Sequence, residues 1–145
     1  MLIYFLILSF CLLLSFLKIK RTIENIALIT IAFVICFGYT TGTDWQTYER
    51  FYYGLISNLD GKEYGYILLQ TIFHKLGVNF WIFHIGIKLI VFYLLIEFVR
   101  LFNINIFLFL VFFLPDAGFY LFIDCPFRNL IAIGISLLAI KKGSA

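Results

Sequence analysis

The sequence predicts an all-α integral membrane protein, with about five transmembrane helices and short amphipathic interfacial helices in one long extracytoplasmic loop. Composition is the first reason: 63% of the 145 residues are hydrophobic and 13% are charged, with a mean hydropathy of +1.05. A soluble chain of this size cannot bury so much apolar surface, whereas a bilayer accepts runs of roughly 17–25 apolar residues as single helices. The second reason is that basic residues cluster at the ends of the apolar runs, at Lys18, Lys20 and Arg21, at Arg100, and at Lys141 and Lys142. The third is that a single interval between the runs collects acids, tryptophan and tyrosines. No linker composition divides the chain, so residues 1–145 read as one multi-pass membrane domain.

The first span, about residues 2–17, lacks a basic segment before it and a small-residue cleavage site after it, which predicts a retained helix rather than a cleaved leader. The positive-inside rule puts its basic flank in the cytoplasm and the N-terminus outside. The second span, about 22–39, returns outward, with Glu24 and Asn25 at its inner end. The extracytoplasmic loop, 40–79, carries Asp44, Glu49, Asp60 and Glu63 against Arg50 and Lys62 over its first part.

Within that loop, GTDWQTYERFYYG (42–54) offers Thr43 as an N-cap with Gln46 three residues on, so a helix is expected from Asp44. Asp44, Tyr48 and Tyr52 then share one side at i, i+4 and i+8. Dipole compensation and an interfacial aromatic belt are a sufficient structural account of these residue types on their own. A second short helix is expected over 60–77, capped by Asp60 and Glu63 and closed by Gly77. Leu69, Ile72, Phe73 and Leu76 share one face; Gln70, Thr71, His74 and Lys75 share the other. Its apolar core of about 14 residues, roughly 21 Å, is short of ~30 Å of hydrocarbon and is expected to lie in the outer interface. If it spanned instead, everything after it would invert.

The third span, about 80–98, has Trp81 outside and Arg100 inside. The fourth, about 104–123, is expected to break at Pro115 beside Asp116. The fifth, about 126–140, starts at Pro126, suited to a first helical position, and ends at Lys141 and Lys142.

Arg128 is a cation in the first turn of an outward-facing helix end, where dipole and topology both disfavour it. It either pairs with Asp124 at i−4 or presents its planar fork to an anion such as a diphosphate. Lys88 and Asp116 lie roughly 12 Å and 10 Å inside their spans. An unpaired charge in hydrocarbon is costly, so a Lys88–Asp116 ion pair is expected, with His84 one turn above on the same face. The cysteines Cys11, Cys36 and Cys125 have neither disulfide nor zinc spacing and read as packing residues. No phosphate loop, nucleophile elbow or metal-ligand spacing occurs, so no metal and no cofactor are expected. The net charge of +3 is scattered over helix ends and does not point to nucleic acid.

Gly42-Thr43-Asp44-Trp45 with Tyr48, Glu63-Tyr64-Gly65-Tyr66, Gly77 with Asn79-Phe80, and Arg128-Asn129-Leu130-Ile131-Ala132, in that order, resemble the EpsG family of Wzy-like exopolysaccharide and O-antigen polymerases. The resemblance runs from the second apolar run to the end. It implies a glycosyltransferase-type enzyme of polysaccharide biosynthesis in the bacterial cytoplasmic membrane. Its substrate would be polyprenyl-diphosphate-linked oligosaccharide, and its partners the bilayer and other polysaccharide-assembly membrane proteins. Members usually continue through further spans, so the chain is expected to correspond to the N-terminal portion. Read onto these residues, the resemblance implies catalytic roles for Asp44 as base and Arg128 on the diphosphate. It implies substrate binding by Arg50, Trp45, Tyr48 and Tyr66, with Glu63 and His74 in support. Two other classes stay open on the residues alone: a non-catalytic membrane subunit that binds lipid-linked glycan, and a small transporter component built on His84, Lys88 and Asp116.

Overall fold

The computed structural model describes residues 2–37, 45–54, 64–124 and 127–143, with side chains from Ile123 to Arg128 outside the description. The described residues are helical or lie in short connections between helices. Helices α1 (Leu2–Ser15), α2 (Arg21–Cys36), α3 (Trp45–Tyr52), α4 (Tyr64–Lys75), α5 (Phe80–Leu101), α6 (Ile106–Phe113) and α7 (Phe127–Gly143) follow in order, with two π-helical segments, Leu114–Gly118 and Tyr120–Asp124, between the last two.

Polar contacts gather five helix ends at one end of the molecule. Asn105 Nδ2 at the start of α6 donates to the Ser15 carbonyl at the end of α1, 2.9 Å away. Arg100, in the last turn of α5, donates to Glu24 Oε1 at 2.7 Å and to Asn25 Oδ1 at 2.8 Å on the first turns of α2. It also donates to Glu97 Oε1 at 2.9 Å. Lys141 near the end of α7 reaches Glu97 Oε2 at 3.2 Å. Thus α1, α5 and α7 run one way and α2 and α6 run the other, with the basic residues at the shared end. The guanidinium suits this junction because its fork serves two carboxylates and an amide at once.

The core lies where α5 meets its neighbours: Val91, Phe92, Ile96 and Val99 of α5 are buried with Ile31 and Ile35 of α2 and Leu110 of α6. Gly134 lets α7 approach closely; a Cβ there would lie 2.8 Å from Val91 Cγ2. The outer faces are apolar as well. Phe5 and Leu13 on α1, Ile29 and Phe33 on α2, Phe112 on α6 and Ile135 on α7 are all exposed. A water-facing monomer rarely presents so much continuous apolar surface. Among the described residues α5, at 22 residues, is the one helix long and apolar enough by itself to cross a bilayer.

Three differences from the sequence expectations have physical causes. The chain does not break at Pro115: it widens into π turns, closed by the Phe119 N–H donating to the Leu114 carbonyl five residues back. Proline removes one backbone donor and crowds the preceding turn, and a π turn absorbs both. The Lys88–Asp116 pair is not among the ion pairs of the described residues. Lys88 is 1% exposed on α5, whereas Asp116 faces outward from the widened turn. The single apolar face expected for α4 is divided. Tyr66, Leu69, Gln70 and Phe73 turn inward, while Ile72 and Leu76 stay exposed, because aromatic contacts to α3 and α5, rather than aliphatic periodicity, dock it.

Candidate functional site

Helices α3 and α4 form an aromatic cap over the N-terminal end of α5, opposite the basic end. The turn into α5 is held from both sides. Asn79 caps the helix, its Oδ1 accepting from the Trp81 N–H at 2.8 Å. Helix α4 ends with Gly77 at φ 72°, its N–H bonded to the His74 carbonyl at 2.9 Å and the Val78 N–H to the Phe73 carbonyl at 3.1 Å. This is the paired closure that a left-handed C′ glycine permits. The buried Tyr52 hydroxyl donates to the freed Val78 carbonyl at 2.6 Å, and the Tyr53 hydroxyl accepts from the Phe80 N–H at 3.4 Å. Burial, with Tyr53 adding to it, raises the Tyr52 phenol above its ordinary pKa, so it stays a donor across the neutral range.

Around this turn the rings interlock. Tyr52 stacks on Phe83 at 5.4 Å and meets His74 edge-on at 5.3 Å. Tyr48, one turn earlier, meets Tyr66 edge-on at 5.7 Å. The chain's two tryptophans, Trp45 and Trp81, stand 5.4 Å apart, and His84 stacks on Phe80 at 5.3 Å. Edge-to-face and offset pairs at these separations each add about 0.5–1.5 kcal/mol beyond their buried area.

The structure therefore brings Trp45, Tyr48, Tyr66 and His74 into one cluster. Tyr48 and Tyr66 are buried inside it, Trp45 is half-buried at its edge, and His74 is exposed on its rim. Arg50 is exposed in the last turn of α3, where the helix dipole favours a cation. Asp44 and Glu63, with the caps expected at Thr43 and Asp60, lie outside the described residues. Arg128 lies in the first turn of α7 by its backbone, its side chain outside the description. The pairs Gly134–Val91 and Lys141–Glu97 hold α7 parallel to α5 with an offset of 43 to 44 residues, so Arg128 stands level with about Ile85, just below the cap.

Sequence reasoning did not identify Trp81, Phe80 and Phe83 as neighbours of the loop residues. Their placement depends on α3 and α4 packing back onto α5, and Trp81 carried an interfacial signal without a partner. Buried within the cap, Gln70 Oε1 has no hydrogen-bond partner among the described residues. Among those residues no group of three or more His, Cys, Asp or Glu side chains is placed to hold a metal ion.

No curated protein and no solved structure matches the chain. A family model does match, over residues 21–143, which takes in α2, both helices of the cap, α5, α6 and α7. The stretch it covers includes every residue the resemblance rested on, and the chain belongs to the EpsG family.

Proposed function

We propose that this EpsG-family protein polymerises polyprenyl-diphosphate-linked oligosaccharide repeat units into exopolysaccharide or O-antigen at the outer face of the bacterial cytoplasmic membrane. The carrying observation is the family match over residues 21–143. The arrangement of the molecule supports it, with an aromatic cap at the end opposite the basic cluster and the first turn of α7 beside it. In this reading five antiparallel spans cross the membrane and the cap lies in the outer interface, where Trp and Tyr are favoured.

The chemistry is a glycosyl transfer. An acceptor hydroxyl attacks the anomeric carbon of the lipid-linked donor, the bond to the diphosphate breaks with its electron pair, and polyprenyl diphosphate leaves. Asp44 takes the hydroxyl proton, and Arg128 and Arg50 offset the negative charge that develops on the departing diphosphate. Trp45 presents its face to the sugar, and Tyr48 and Tyr66 hold that edge of the cap in place. Glu63 and His74 line the approach.

Complementation of a polymerase-deficient strain with the gene carrying Arg128→Lys or Asp44→Asn tests this directly. Loss of a preorganised charge-stabilising group costs on the order of 10²–10³-fold in rate, so both strains should lose long-chain polysaccharide while the protein still accumulates in the membrane. Normal chain length from both variants would sink the assignment and favour a non-catalytic subunit.

A further inference from the structure

Two cavities share Arg100 as a common wall at the basic end of the molecule. The larger, about 820 Å³, opens between the α1–α2 and α5–α6 turns, with Lys18, Arg21, Glu24, Arg100, Asn103 and Asn105 among its polar lining. The smaller, about 360 Å³, is a groove between α2 and α5, walled by Leu28, Ile29, Ala32, Leu89, Phe92 and Ile96, with Asn25 and Arg100 at its basic end. Polar space at a helix end therefore adjoins apolar space along the same helices.

The charge of the polar space is set by which groups are already engaged. Glu24 and Glu97 both bond to Arg100, and Glu97 to Lys141 as well. Lys18 and Arg21 are exposed at the mouth, and their side chains make no hydrogen bond or ion pair among the described residues. The pocket thus carries cationic donors beyond those its own carboxylates use. From Arg100 to Leu89 the groove follows α5 for roughly 16 Å, close to the ~15 Å hydrocarbon depth of one leaflet.

We propose that these adjoining cavities hold an anionic phospholipid of the cytoplasmic leaflet. Lys18 and Arg21 hold its phosphate beside Arg100, and one acyl chain lies in the α2–α5 groove. The proposal rests on the membrane orientation proposed above. Basic residues beside a spanning helix attract the anionic lipids of that leaflet, and the groove adds a tail site that a soluble anion does not use.

The test uses the full chain in neutral detergent, following its unfolding midpoint on adding phosphatidylglycerol, phosphatidylcholine with the same acyl chains, or glycerol 3-phosphate. Phosphatidylglycerol should raise the midpoint by roughly 4 °C or more, and the other two should leave it nearly unchanged. Lys18→Ala with Arg21→Ala should remove most of that shift, and Ile29→Trp, at an exposed position on the groove wall, should also reduce it. An equal shift with phosphatidylcholine overturns headgroup recognition, and an equal shift with glycerol 3-phosphate overturns the tail site. A full phosphatidylglycerol shift in either variant overturns the residue assignment. Side-specific labelling of Lys142→Cys reads the orientation separately. Labelling from outside overturns the leaflet through the topology, while an inside location without a lipid shift overturns the lipid site alone.

Discussion

Tyr52 shows how one hydroxyl secures the cap. Its ring is 3% exposed and its hydroxyl satisfies the Val78 carbonyl, 2.6 Å away, in the turn that launches α5. Tyr52→Phe keeps the ring contacts and leaves that carbonyl without its partner. It should cost about 1–2 kcal/mol, visible as a fall of roughly 2–6 °C in the unfolding midpoint of the detergent-solubilised protein. An unchanged midpoint would mean the cap is not held through this bond. At the same scale, the i, i+4 spacing of Tyr48 and Tyr52 indicates a shared helix face, but not that the face turns inward. That is decided by Tyr66, Phe80 and Phe83, remote in sequence, which bury it.

Among the helices, the closest fit is α5 against α7. Gly134 faces Val91, and a Cβ at 134 would approach Val91 Cγ2 to 2.8 Å; the valine is β-branched and has little rotamer freedom to yield. Gly134→Ala should therefore destabilise the protein by about 1–3 kcal/mol, and Val91→Ala in the same chain should restore part of the loss. Thermal midpoints of the two single variants and the double variant measure the coupling, and strict additivity would refute the contact. Helix α4 teaches a related lesson. Its Gly77 closure was legible because cap chemistry is local, whereas its inward side was not, because Leu69, Ile72, Phe73 and Leu76 share one face by periodicity and only packing divides them. Packing chose the side with Tyr66, Gln70 and Phe73. The π turns after Leu114 were likewise signalled only as a disturbance at Pro115, since proline disrupts the regular ladder without dictating how the chain accommodates it.

Across the whole molecule, the Arg100 junction and the aromatic cap mark opposite ends of an antiparallel bundle. With Cys11, Cys36 and Cys125 replaced, a single cysteine at Tyr64 should react with a membrane-impermeant thiol reagent in intact cells. One at Lys142 should react only after the membrane is opened. Labelling of both from outside would refute the proposed five-span topology. The sequence by itself determined the helical class, the bundle's alternating direction and the residues that carry the family resemblance, because apolar run length, flanking charge and cap residues act locally. Only the tertiary structure decided that Arg100 ties Glu24, Asn25 and Glu97 together, that Lys88 and Asp116 do not pair, and that the two tryptophans meet. Each depends on helix rotation and register, which are set by contacts between segments distant in the chain.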